Sequence, residues 1–174
     1  MHSFNNIDGD GDRFILGDMK DIQLLKKCYL FENLIDDELA TIAEIVKVRD
    51  VIHGDYVFDE GAAATSLFVI KHGTIEILKR GSTGGDEQSV TQLSAGSHFG
   101  EMSFMDKESR AAAAMAKENT KLLEVPFDGL EKLISTQPVI GVKIYRSMAA
   151  ILCRRIRQTT NNLSSLKELK LKHF

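Results

Sequence analysis

At 174 residues, with 43% hydrophobic side chains and nine Phe, the chain has material for one domain with a real apolar core despite having no Trp. A net charge of only −3 excludes a whole-molecule bias toward polyanions. Two cysteines, Cys28 and Cys153, lie far apart, which excludes a cysteine-ligated iron–sulfur cluster, argues against a disulfide framework and fits a reducing, cytoplasmic setting.

In chain order, residues 1–17 are rich in Asn, Asp and Gly and read as a flexible tail. Asp8-Gly9-Asp10-Gly11-Asp12 invites a calcium-loop reading. However, Arg13 stands where the sharp turn needs Gly, and Met19 where a bidentate Glu is required. No basic-then-apolar leader opens the chain, and no apolar run approaches the roughly 18 residues of a membrane span. From Asp18 to Val48 the pattern is helical. Leu24 to Phe31 forms an amphipathic turn and a half. Ile35-Asp36-Asp37-Glu38 opens a second helix with acids at its positive end, and Leu39, Ile42, Ile45 and Val46 make its buried stripe.

From Val51 to Pro126 the period changes from 3.6 to 2. Tyr56–Phe58, Leu67–Ile70, Thr74–Leu78 and Lys121–Val125 are strand-like, with glycines punctuating them, and Ser82 to Asp86 reads as an exposed hairpin tip. Many short strands at this spacing predict an antiparallel sandwich or barrel. After Pro126 the helical period returns. Leu130, Leu133 and Ile134 line a short helix, Thr136-Gln137-Pro138 breaks it, and a long helix runs from about Val139 into the 160s. Met148, Leu152, Ile156, Thr159, Leu163 and Leu166 repeat there at spacings of three and four, as in a coiled-coil seam. From Lys143 onward eight Lys or Arg face a single acid, Glu168, as in a solvated basic helix face.

The segment with most chemistry is Phe99-Gly100-Glu101-Met102-Ser103-Phe104-Met105-Asp106-Lys107-Glu108-Ser109-Arg110-Ala111-Ala112. A carboxylate precedes an arginine by nine residues in an otherwise small and apolar stretch opened by glycine, able to hold a sugar hydroxyl at one end and a phosphate at the other. Around it stand further landmarks: Leu30-Phe31, Gly54-Asp55, Phe58-Asp59-Glu60-Gly61, Ser66 to Ile70 and Gly73 to Ile77. In this order and spacing, from about Leu24 to Gln158, the chain resembles the cyclic nucleotide-binding domain family, whose members include the catabolite activator protein and protein kinase A regulatory subunits. The resemblance implies a mainly β fold: an eight-stranded, jelly-roll-like β-roll (a double-stranded β-helix) with N-terminal helices and a long C-terminal helix. The expected division is a tail over 1–17 and one domain over 18–174, with a helical lead-in (18–50), the roll (51–126) and C-terminal helices (127–174).

On that resemblance Phe99, Gly100, Glu101, Met102, Ser103, Arg110, Ala111 and Ala112 form the ligand site. Arg110 supplies a planar fork of donors to the two exocyclic phosphate oxygens, which Lys cannot reproduce. Glu101 accepts from the ribose 2′-hydroxyl and counterbalances Arg110 in an empty pocket. Gly100 permits close approach of the backbone. Met102 to Met105 forms a short helix whose amides face the phosphate, Ser103 contributing its own, while Phe104 and Met105 sense closure. Ala111 and Ala112 lack the hydroxyl that often helps hold guanine, so cAMP is favoured over cGMP. Arg155, Thr159 and Thr160 are candidates to cap the base, the latter two across a dimer.

Only Leu163 to Phe174 follow the reading of the long helix, too short for a helix-turn-helix domain. The expectation is therefore a non-catalytic, cytoplasmic regulator without direct DNA or membrane binding and without a metal, homodimeric through the long helix and acting on an unknown downstream protein. Three other readings compete. A ligand-free dimeric adaptor would use the basic helix on an acidic partner. A cupin-type metal enzyme would need a His-x-His pair, which His53, His72 and His98 do not form, each reading as a surface or loop residue. A haem sensor would need an axial His such as His72 or His98.

Overall fold

The first helix, α1 (Met19–Lys27), and the turn after it set Leu25, Cys28, Leu30, Phe31 and Leu34 inward, all buried. A computed structural model describes residues 19–81 and 86–171; the Asp-rich calcium-loop motif and the tip at Ser82 to Gly85 lie outside them. The second helix, α2 (Asp36–Ala43), carries Asp36, Asp37 and Glu38 in its first turn, against the positive end of the helix dipole. Glu38 Oε2 also accepts the Ile35 N–H at 2.9 Å, so the helix start is held by its own acid. Leu39, Ile42, Ala43 and Val46 are buried, whereas Ile45 is only half-buried.

The helical reading to Val48 runs too far. The chain enters β1 (Lys47–Val51) directly, because β-branched Val48 pairs with Leu123 in an antiparallel ladder. Seven further strands follow: β2 (Tyr56–Phe58), β3 (Ser66–His72), β4 (Thr74–Arg80), β5 (Glu87–Ser94), β6 (His98–Phe99), β7 (Ala113–Ala116) and β8 (Thr120–Pro126). They form two four-stranded antiparallel sheets, ordered β1-β8-β3-β6 and β2-β7-β4-β5. The eight-stranded roll with flanking helices is thus the fold.

Strands β3 and β8 are buried on both faces, which explains their unbroken apolar runs. Leu67, Val69, Leu123 and Val125 face the helices, while Phe68, Ile70 and Leu122 face the interior of the roll. Two cores result, one between sheet and helices and one inside the roll.

A short helix, α3 (Met102–Asp106), interrupts the second half of the roll. Two more close the fold, α4 (Phe127–Thr136) and α5 (Pro138–Leu171), broken apart at Pro138 as the sequence predicts. In α5, Ile140, Ile144 and Met148 are buried at helical spacing against the helical core, and Ile151 is buried after them. Met148 therefore belongs to this chain's own core and not to an outward seam. Three contacts hold the same stretch to the N-terminal segment. Lys143 pairs with Glu38 at 2.7 Å, Asn33 donates to Ser147 at 3.0 Å, and Arg154 sits 4.7 Å over the Tyr29 ring. Beyond Ile151 the helix passes over the mouth of the roll. No helix among the described residues is long and apolar enough to cross a membrane.

Candidate functional site

The roll opens into a cleft of about 540 Å³ between β4 and β5 on one side and α5 on the other. Of the predicted site residues, Phe99, Gly100, Glu101, Met102, Ser103, Arg110, Ala111, Ala112, Arg155 and Thr159 all line it. Thr160 does not; its hydroxyl donates to the Ile156 carbonyl at 3.0 Å, one helical turn back. Among the described residues no three His, Cys, Asp or Glu side chains meet as a metal site would require.

Arg110 is almost wholly buried, and its guanidinium lies 4.0 Å from the centre of the Phe58 ring. Nη2 donates to the Ser66 carbonyl at 2.6 Å and Nη1 to the Gly100 carbonyl at 3.1 Å. Ser66, like Ile70, turns its main-chain groups toward the β6 side, and β6 ends at Phe99, so the Ser66 carbonyl is left for the arginine. Nε has no partner. Burial lowers the Arg110 pKa to about 10, against the opposing pull of the Glu124 and Glu101 carboxylates, and the group stays charged at neutral pH.

Glu101 is fully buried, and the partner expected for it is not the one it has. Arg155 of α5 pairs with its Oε1, and Nη2 of Arg155 donates to the His98 carbonyl at 3.1 Å. Arg110 is occupied by carbonyls instead. An ion pair formed across 54 residues leaves no local spacing to read. The second carboxylate oxygen, Oε2, is buried without a hydrogen-bond partner among the described residues. Burial pushes the Glu101 pKa above the ordinary carboxylate value, and the Arg155 charge pulls it back.

Gly100 adopts φ +81°, and a Cβ placed on it would lie 2.6 Å from Arg110 Nη1. The space kept open by this glycine is filled by the arginine head. Helix α3 forms as predicted. Phe104 is buried and packs on Phe127 (5.2 Å) and Tyr145 (6.2 Å), tying the cassette to α4 and α5, whereas Met105 is exposed. Ser103 is buried, with its hydroxyl 3.4 Å from the Ser109 carbonyl.

Sequence reasoning left out Lys79, Thr91 and Gln158, which also line the cleft. Only the strand alternation that sets Ile77 and Lys79 on one face of β4 could have pointed to the lysine. His98, read as a surface or loop residue, is in fact buried in β6 with Nδ1 3.9 Å from Cys28 Sγ. The reason is the two-sided burial of its sheet, where β6 pairs with β3. Burial, aided by the nearby Arg155 charge, holds the His98 pKa down at about 4, and burial pushes the Cys28 thiol up to about 12. Neither is poised as an acid, base or nucleophile at neutral pH.

The chain is similar to several known proteins. The chain is 30% identical over 142 residues to the cyclic AMP receptor protein of Thermus thermophilus, covering 82% of this chain and 63% of that protein. It is 31% identical to glutaminase 2 of Bradyrhizobium diazoefficiens, over 80% of this chain but 21% of that one. The crystal structure of Thermus thermophilus catabolite activator protein superposes with a TM-score of 0.70 at 29% identity, covering 80% of this chain and 63% of that one. The chain thus spans less than two-thirds of each of these relatives. The cyclic nucleotide-binding domain model matches residues 48–137, just over half of the chain, from β1 through α4, a span that includes the cassette and the strands on one side of the cleft. With Glu101 and Arg110 in one cleft of the expected roll, the chain belongs to the cyclic nucleotide-binding domain family.

Proposed function

We propose that the chain is a non-catalytic, cytoplasmic regulator that binds a cyclic nucleotide, cAMP in preference to cGMP, and signals by moving its C-terminal helices. One observation carries this reading. Two buried polar atoms, Glu101 Oε2 and Arg110 Nε, lack hydrogen-bond partners among the described residues, and both belong to residues lining the same cleft. A buried acceptor and a buried donor left open are costly, and a ligand offering a hydroxyl and an anionic phosphate satisfies both. The ribose 2′-hydroxyl donates to Glu101 Oε2, and the phosphate takes the Arg110 guanidinium together with main-chain amides at Ser103, Ala111 and Ala112. The Phe58, Ile77, Val90 and Leu93 side chains supply apolar wall for the purine. Neither Ala111 nor Ala112 carries a hydroxyl for guanine, and the similar Thermus thermophilus protein is named for cyclic AMP.

Signalling follows from Glu101 serving two partners. Its Oε1 is held by Arg155 of α5 while Oε2 faces the ligand, so ligand binding and the position of α5 share one carboxylate. Arg155 and Thr159 approach the base from α5, and Thr160 reaches a base only across a dimer. Homodimerisation uses the outward face of α5. Val142, Tyr145 and Ile156 are 67%, 41% and 65% exposed and, with Ala149 and Leu152, repeat at alternating threes and fours.

A thermal-shift comparison of cAMP, cGMP and linear AMP tests the class: both cyclic forms stabilise and the linear form does not. Replacing Arg110 with Ala removes roughly 3–5 kcal/mol of paired, desolvated charge interaction, weakening cAMP by about two to three and a half decades in calorimetry. Arg110→Lys recovers only part. Equal cAMP affinity for wild type and Arg110→Ala would refute the assignment.

A further inference from the structure

The main chain that carries Arg110 is gripped from three sides by residues outside the cassette. The Gly61 N–H donates to the Arg110 carbonyl at 2.8 Å, and the Arg110 N–H donates to the Ala62 carbonyl at 2.9 Å. One residue on, Lys79 Nζ donates to the Ala111 carbonyl at 2.6 Å. The same Nζ donates to Glu60 Oε1 at 2.6 Å, while Glu60 Oε2 accepts the Arg80 N–H at 3.0 Å. Glu60, next to Gly61 in the β2–β3 loop, thus joins that loop to β4, and Lys79 joins β4 to the cassette. The Arg80 amide and the Lys79 ammonium together hold the Glu60 carboxyl below its ordinary pKa.

A lysine side chain is a flexible four-carbon stem with a point charge, and an exposed ion pair by itself adds little stability. Lys79 and Glu60 side chains are 51% and 22% exposed, so their contribution is geometric. With two of its three N–H donors committed, the ammonium cannot swing away from Ala111. The peptide between Ala111 and Ala112 is planar, so fixing the Ala111 carbonyl also fixes the Ala112 N–H at the cleft wall. Because Glu60 neutralises the charge, Lys79 is not a free cation competing for the phosphate.

We infer that Lys79, held by Glu60, is a positioning residue that sets the Arg110–Ala112 main chain at the phosphate end of the cleft. The inference rests on the cyclic-nucleotide reading of the cleft, and it differs from direct electrostatic attraction in one decisive respect. Glu60→Gln leaves the lysine charge in place but loosens its tether. Positioning then weakens binding, whereas a charge acting directly on the phosphate is unmasked and tightens it.

The test is calorimetry of the full chain with cAMP and cGMP for wild type, Lys79→Met and Glu60→Gln, beside thermal unfolding and amide hydrogen exchange of the ligand-free proteins. Each variant is expected to weaken both nucleotides by about three- to tenfold, the loss of one hydrogen bond's worth, with their ratio and the unfolding midpoint unchanged. Exchange at the Gly61 and Arg110 amides is expected to quicken. Tighter binding by Glu60→Gln, unchanged affinity in both variants, or a changed cAMP-to-cGMP ratio, which would put Lys79 on the base, overturns the inference. If wild type binds neither nucleotide, the reading of the cleft fails separately. The inference is then decided by exchange alone, and unchanged Gly61 and Arg110 rates in Lys79→Met overturn it. Glu60→Gln, nearly isosteric, carries the test should Lys79→Met not fold.

Discussion

Gly100 meets two constraints at once, and only glycine satisfies both. Its φ of +81° is unfavourable for any L side chain, and the volume of a Cβ is already taken by Arg110 Nη1 at 2.6 Å, with the Ser66 carbonyl oxygen 3.5 Å away. Gly100→Ala is therefore expected to cost about 1–2 kcal/mol of stability in urea unfolding from backbone strain. It also drives the guanidinium off its two carbonyls, so calorimetry should show cAMP weakened by about tenfold or more. Unchanged affinity would mean that the arginine need not sit where it does. At this scale the sequence disclosed which residues matter better than what they touch. The glycine, the carboxylate and the arginine stand together in one short segment, and all three line the cleft. Which groups they meet depends on strand β6 ending at Phe99, which leaves the Ser66 carbonyl open, and on a helix 54 residues downstream. Neither leaves a local pattern.

Helix α5 has two apolar faces with different tasks. Ile140, Ile144 and Met148 bury into the helical core, while Val142 and Ile156 are exposed on another side of the helix. Met148→Ala should therefore destabilise the fold by roughly 2–4 kcal/mol, as core truncations do. Ile156→Asp should leave the unfolding free energy of the monomer within about half a kcal/mol. It should nonetheless shift sedimentation velocity profiles from dimer to monomer, and a single unchanged sedimenting species would exclude Ile156 from any dimer contact. The sequence blurred these faces because a heptad seam started at Met148 and one started at Val142 share Leu152, Ile156 and Thr159 downstream. Legibility elsewhere followed burial. Strands β3, β4 and β8 were visible from β-branched and apolar runs, and α4 and α5 from a returning helical period and Pro138. Strand β7 was not, because Ala113, Ala114 and Ala116 carry little strand propensity, Ala114 and Ala116 being small side chains packed in the roll interior. Strand β5 was hidden by its mostly exposed, polar sequence, its place set by pairing with β4.

The molecule as a whole is two apolar cores sharing one sheet, and His98 sits where the N-terminal helices, the roll and α5 meet. Its ring touches Cys28 after α1, its carbonyl receives Arg155, and its sheet neighbour is Val69 of β3. Nε2 is buried without a hydrogen-bond partner among the described residues, and the ring is neutral because burial holds its pKa near 4. A histidine whose pKa is lower folded than unfolded binds its proton more readily in the unfolded chain. Stability is then complete above the unfolded value of 6.5 and is lost as pH falls toward 4. The full effect of such a shift is about 3 kcal/mol, of which about 2 falls between pH 7 and pH 5. Glu38, held down mainly by its hydrogen bond from Lys143, loses its contribution only below the ordinary carboxylate value of 4.5, outside that window. Glu101, pushed up by burial, works in the opposite sense and is present in both proteins compared. Urea midpoints measured at pH 7, 6 and 5 should therefore fall steeply for wild type and much less for His98→Leu, whose apolar side chain has no proton to take up. Parallel pH profiles would show that the junction tolerates an imidazolium. The three-way contact of helices, roll and α5 would then be wetter than its burial implies.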